Sequence, residues 1–476
     1  MKRKALVIFS VFTVALLLSC SRSKDVEEVK PTPEIPTLPG DVEALRYVFD
    51  IEALPEIMLE VTTAQWNTLL SNFDTNPQNE EYIMANYLFT KTGKEAKIDS
   101  VGIRIRGNTS RRRPEGARGE AHNGINPSWH HAHFAINFKK YVKSKRFNTL
   151  QKINLKWFKD DPTYSREVYC YDLFERYGIW TAPKSSYVRL SIKIKEDGES
   201  AYFGVYQLVE SVDEDYIANR KSGFGDTDGF LWKANYGADL RNADQSRMGV
   251  EDVKLDANLS KYFVYDLKTN DKRLAEAKAQ LASFIQNFNV KAGADFQSWL
   301  QGQMDVQLFL KTYAVSVMVG MWDDYWGNSN NFYLYFNASG KFFFIPYDYD
   351  NTLGTSLIVG NSGTQDPTNW GKDSNPIVKK ILSIPAYRSA YISYLNELAN
   401  PNKDLFAFER SVPRIARWQS MVSRYVANDT KEDNTIEDRP ASWGNCGFYR
   451  LLSGDGAGGG TEANFFKTKI RSIPAN

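Results

Sequence analysis

The chain has 476 residues, with 59 Lys and Arg against 57 Asp and Glu, four His and a formal net charge of +2. That balance, with no basic run longer than Arg111-Arg112-Arg113 and nearby Arg118, argues against nucleic acid as a partner. The length suits one large or two medium domains, with ample chain to bury a core.

Lys2, Arg3 and Lys4 precede an apolar run, Ala5 to Leu18, that is short for a membrane span. Leu17-Leu18-Ser19-Cys20 then reads as a bacterial lipoprotein cleavage box, with Cys20 as the lipidated first residue of the mature chain. Residues 1–20 are thus expected to be a lipoprotein signal peptide. Residues 21–40 are expected to be an extended tether, because Pro31, Pro33, Pro36 and Pro39 cannot pack a core. The expected location is a membrane-anchored lipoprotein, periplasmic or at the cell surface.

Leu54 to Val61 reads as a strand, and Thr62 or Thr63 caps a helix through Asn72. Lys97 to Arg106, His133 to Phe138 and Gln151 to Lys156 alternate as strands, with a long Arg- and Gly-rich surface loop over 111–128. Ser165 to Gly178 has helical spacing and a glycine stop. Ser186 to Ile194 and Ala201 to Glu210 form a strand pair, followed by a short helix from Val212 to Arg220 and a strand from Phe230 to Lys233. From Leu259 the character turns helical: Asp271 to Phe288, Phe296 to Leu300, Met304 to Met321, Pro376 to Ala399 with a break at Pro385, and Leu405 to Val426. A strand-rich part over 41–258 and a helix-rich part over 259–476 describe a two-lobed α+β fold.

The histidines are His122, His130, His131 and His133. On a strand, 131 and 133 face one side and could take a transition metal; a strand end or loop edge is the plainer expectation. Cys170 and Cys446 either pair or leave Cys170 a buried thiol. No Cys/His pattern supports zinc.

The densest chemistry lies between Trp322 and Gly354, WDDYWGNSNNFYLYFNASGKFFFIPYDYDNTLG. Two strands, Asn331 to Tyr335 and Lys341 to Tyr347, flank the turn Asn337-Ala338-Ser339-Gly340. A hairpin brings Asp323-Asp324 and Asp348-Asp350 to the same end. Asp348 and Asp350, two apart, point to one side of an extended segment. Gathered carboxylates repel unless a hard cation with oxygen ligands sits among them. The residues therefore point to a Mg²⁺–phosphate site, with Asp348 and Asp350 as ligands.

"NNFYLY" followed by "FIPYDYDNTLG" resembles the signature of the CotH kinase family, the spore-coat protein H-like proteins. "IRIRGNTS", "KINLKWFKDDPTYSREVYCYDLFERYGI", "YFGVYQLVESVDEDYI" and "FLWKANY" follow the family in order. The resemblance runs from about Leu54 to about Asn400. It implies an atypical protein-kinase-like fold using ATP and Mg²⁺, with an exported Ser/Thr protein as acceptor. Asp324 or Asp323 would serve as base or hydroxyl-orienting group. Asp323 and Asn328 have the spacing of a kinase catalytic loop, whereas the family pattern points to Asn331 as the second metal ligand. Glu210 would lie at the connection between lobes, where adenine binds. Arg166 and Glu167 could reach phosphates or a Lys, or simply start a helix. Family members carry a basic run where this chain has His131-Ala132-His133-Phe134-Ala135-Ile136-Asn137-Phe138. The phosphate cation would then come from Arg104, Arg106, Lys152 or Lys156. Two other classes remain: a kinase-like domain serving as a binding or assembly module, and a glycan-binding lipoprotein using Trp326, Trp370 and Trp443.

Overall fold

The computed structural model describes residues 38–355, 363–371, 376–426, 447–449, 451–452 and 465–474. Cys20, the signal and most of the tether, Cys446 and Trp443 lie outside the described residues. Among the described residues, no helix is long and apolar enough to cross a membrane.

The fold mixes helices and sheets, as expected. Seven strands close into a barrel: β1 (Glu56–Val61), β2 (Ile83–Lys91), β3 (Lys94–Ile105), β4 (Phe134–Asn137), β5 (Lys152–Lys156), β6 (Ser185–Ile194) and β7 (Ser200–Glu210), in the order β1-β2-β3-β4-β5-β7-β6. The ring is closed by parallel pairing of β1 with β6, from Glu56 opposite Arg189 to Val61 opposite Ile194. Alternation drives the closure. Ile57, Leu59, Ile103, Ile105, Phe134, Ile136, Ile153 and Leu155 fill the interior. The intervening residues of β3, β4 and β5, among them Arg104, Ala135 and Lys156, take the other face. The helix Thr63–Thr75 packs its Trp66, Leu69 and Leu70 on this core, and Thr62 caps it by accepting the Gln65 N–H.

Five strands form a second sheet in the order β12-β11-β8-β10-β9: β8 (Phe230–Ala234), β9 (Met248–Gly249), β10 (Tyr265–Leu267), β11 (Phe332–Phe336) and β12 (Phe342–Pro346). Its strands come from both sides of residue 258, so the change of character near Leu259 falls inside a sheet. The expected hairpin is β11–β12, in register from Phe332 opposite Pro346 to Phe336 opposite Phe342. One face of the sheet packs on the main core through Trp232, Phe332, Leu334 and Phe344. The other buries Leu231, Tyr333, Tyr335, Phe343, Ile345 and Tyr347. The helices Leu274–Val290, Gly293–Gln303, Val306–Met318 and Pro385–Leu398 surround the main core. Each large apolar side chain buried there contributes about 1.5–3 kcal/mol.

Candidate functional site

The site is assembled where the end of β12 meets the end of β5. Pro346 ends β12, having no N–H to extend the ladder. Asp348 then takes a left-handed backbone, φ +65°, which is uncommon for a residue other than glycine. Tyr349 turns inward, fully buried, and its hydroxyl meets Ser316 Oγ at 2.7 Å. Asp348 and Asp350 are left on either side of that anchor, each about one-third exposed.

Lys156, the last residue of β5, reaches this loop. Its ammonium contacts Asp348 Oδ1 directly and lies 2.5 Å from Glu167 Oε2 and 3.5 Å from Asp350 Oδ2. Glu167 sits in the first turn of the helix Arg166–Arg176. Its second oxygen accepts the Tyr349 N–H at 3.0 Å, so one carboxylate ties helix, strand and loop together. Asp161 starts that helix by accepting the Ser165 and Arg166 amides, each at 2.8 Å.

Three carboxylates here share one lysine. Glu167, Asp348 and Asp350 place one ligand oxygen each within 4.8 Å of one another. Burial works against the Lys156 ammonium, but Asp348, Glu167 and Asp350 outweigh it and hold its pKa well above the ordinary value. Burial likewise opposes the Asp348 carboxylate, yet Lys156, with Arg106, keeps its pKa low. Asp350 goes the other way. Burial pushes its pKa well up despite Lys156, and Asp348 and Glu167 add to the rise. Three crowded carboxylates repel one another, and their all-oxygen donor set suits a hard divalent ion.

Asp323 supplies a fourth acid beside the cluster. It feels the Asp348 charge, and burial raises its pKa. Its Oδ1 accepts the amides of Asn328 at 2.8 Å and Asn330 at 3.1 Å. Asn331, in a left-handed backbone with φ +55°, donates to the Asp323 carbonyl and to Oδ2. The loop is tight. A Cβ on Gly327 would fall 1.8 Å from the Trp322 carbonyl oxygen, so only glycine fits there.

Asp324 is withdrawn from solvent. It is 1% exposed, its Oδ1 accepts the backbone N–H groups of Trp326 and Gly327, and burial pushes its pKa well up. Of the two adjacent acids, the loop turns Asp324 into the core and leaves Asp323 outward.

The expected phosphate cations separate in the same way. Arg106 donates to the Tyr347 hydroxyl at 2.9 Å and feels Asp348, which places it beside the site. Lys152 is at the opposite end of β5 from Lys156, about 13 Å along the strand at 3.3 Å per residue. There its charge acts on Asp213 and Glu214. Arg166 is a clamp: its guanidinium bonds Asp161 at 2.5 Å and the Thr352 carbonyl at 3.0 Å, with its side chain fully buried. Arg104 pairs with Glu80 at 3.1 Å. Glu210 also leaves the site, because Arg220 takes both its oxygens, at 2.8 and 2.7 Å, in a fully buried pair.

The histidine pair is no metal site. His131 stacks on Trp157 at 4.5 Å and bonds the Phe203 carbonyl, while His133 Nδ1 accepts the Trp157 N–H. Trp326 and Trp370 are 1% and 5% exposed, so neither offers a ring to a sugar. Cys170 is a free, buried thiol 3.4 Å from Thr352 Oγ1. Sequence patterning left Glu167 undecided between a helix start and a lysine partner. Its position in the first turn of a helix behind the Asp160-Asp161-Pro162 start was the available signal.

The family model described as CotH kinase protein matches residues 103–452, a span that holds every residue of the cluster. Among curated proteins, the inner spore coat protein H of Bacillus subtilis (strain 168) is 28% identical over 298 residues. That alignment takes in 62% of this chain and 75% of that protein. With nearly three-quarters of its length under the family model, the chain belongs to the CotH kinase family.

Proposed function

We propose that this chain is an exported phosphotransferase that moves the γ-phosphoryl group of MgATP to a Ser or Thr hydroxyl of a surface or secreted protein. The observation that carries this reading is Lys156 held among Glu167, Asp348 and Asp350. Phosphoryl transfer in kinases needs a strand lysine paired with a helix glutamate, an aspartate for the metal, and an aspartate and asparagine in the catalytic loop. Lys156, Glu167, Asp348, and Asp323 with Asn331 match these in order. The barrel is read as the strand-rich lobe and the second sheet with its helices as the other.

Asp348 and Asp350 would hold Mg²⁺, which would supply charge neutralisation on the phosphate oxygens. Lys156, steadied by Glu167, would orient the phosphates. Asp323, fixed by three asparagine amides, would accept the proton of the attacking hydroxyl as its oxygen bonds to phosphorus and ADP leaves.

Calorimetric titration with MgATP tests the site. Wild type should bind. Asp348→Asn and Asp350→Asn should each weaken binding at least tenfold, about 1.4 kcal/mol. Asp323→Asn should bind normally and lose roughly 10²–10⁴-fold in transfer. Full-strength binding by both metal-ligand variants would sink the enzyme reading in favour of a binding or assembly module.

The export part rests on the basic start, the apolar run and Leu17-Leu18-Ser19-Cys20. Expressed in bacteria, wild type should incorporate labelled fatty acid and partition into detergent. Equal labelling of Cys20→Ala would remove the anchor.

A further inference from the structure

His133 has no part in the mechanism above, yet it stands at the same place. It directly precedes β4, whose Phe134 and Ile136 point into the barrel. Strand alternation therefore sets His133 on the outer face, with Arg104 and Arg106 of the neighbouring β3 chain and Lys156 of β5. The charges acting on its ring are those of Arg106, Lys156, Asp348 and Lys159.

Its two nitrogens are not equivalent. Nδ1 accepts the Trp157 N–H at 2.8 Å. A ring nitrogen that accepts carries no proton, so the neutral ring bears its proton on Nε2. Burial first, then Arg106 and Lys156, hold the imidazole pKa well below its ordinary value, so the ring is neutral near pH 7. Nε2 has no hydrogen-bond partner among the described residues. The backbone that carries Lys156 into the site thus also fixes, one residue later, the tautomer of a neutral N–H donor beside Lys156 and Arg106. A donor of that kind suits a polyanion that brings more oxygens than two cations satisfy.

We propose that the Nε2–H of His133 is a phosphate-binding donor of this site, taking one oxygen of the nucleotide's polyphosphate beside Arg106 and Lys156. The inference rests on the phosphotransferase reading and adds to it a residue that contacts the phosphates.

Two substitutions separate the ring's two ends. His133→Asn keeps an acceptor at the δ position for Trp157 and removes the ε donor. His133→Gln restores an N–H at the ε position. Titrations with MgATP and with adenosine, beside melting curves, read the result. His133→Asn should weaken MgATP about tenfold or more and leave adenosine binding and melting temperature unchanged. His133→Gln should regain part of the loss. Wild-type MgATP affinity in His133→Asn overturns the assignment while leaving the site reading intact. An equal loss of adenosine binding also overturns it, because the residue then acts through the fold. If wild type binds no MgATP, the site reading and this inference fall together.

Discussion

The carboxylates of Glu210 and Asp348 show how much a single partner decides. Both are charged and both come from the end of a strand. Glu210 is fully buried and meets Arg220 in a two-pronged pair, with the Lys184 amide on its Oε2 at 3.0 Å. Every strong donor it needs is inside the protein, so it is satisfied and structural. Asp348 shares one lysine with two other acids and remains partly open. Removing the Glu210 charge strands the Arg220 guanidinium in the interior, which costs about 3–5 kcal/mol. Glu210→Gln should therefore lower the urea midpoint substantially and leave MgATP affinity as in wild type, measured well below the transition. Weakened nucleotide binding at an unchanged midpoint would restore the adenine-contact role that the family resemblance suggests for this residue.

Elements were legible where one face is buried and the other is not. Strands β1, β3 and the second half of β6 alternate because only their inner face is fully buried, whereas β5 and most of β7 are buried on both faces. In β2 the same alternation runs through Ile83, Ala85, Tyr87 and Phe89, but Met84 and Leu88 on the outer side blur it. β9 and β10 have two and three residues, too few for a period, and exist through pairing with β8 and each other. Closure of the barrel joins β1 to β6 across more than a hundred residues, and no local pattern records that. The site divides along the same line. Asp348 and Asp350 were legible because their relation is two residues on one strand end. The meeting of Lys156 with Asp348 spans 192 residues. Arg106, Lys152, Lys156 and Arg166 look alike in sequence; they differ in strand end and facing, which the barrel register sets. Asp323 and Asp324 differ by one residue, and only the turn at Gly327 decides which faces inward.

At the scale of the molecule, the cluster joins two sheets. Lys156 and Glu167 come from the end of the barrel strand β5 and the helix that follows it. Asp348 and Asp350 follow β12 of the second sheet. A cation bound there would hold barrel and second sheet together, so metal, pH and global stability are linked. Asp350 has a pKa raised in the folded state, chiefly by burial. Between its unfolded and folded pKa values the folded chain binds the proton that the unfolded chain has lost. Stability must then fall as pH rises through that interval. In chelator, wild type should melt at progressively lower temperature as pH rises above the ordinary carboxylate range. Asp350→Asn cannot titrate, and it relieves crowding among the acids, so it should show a shallower decline and melt no lower than wild type at alkaline pH. Excess Mg²⁺ should erase the difference in slope by stabilising wild type most at high pH, where Asp350 gives up its proton to bind the ion. A hundredfold excess over the dissociation constant contributes about 2.7 kcal/mol. Parallel melting curves for wild type and Asp350→Asn across the whole range, with and without Mg²⁺, would show that Asp350 neither carries the strain nor holds the ion.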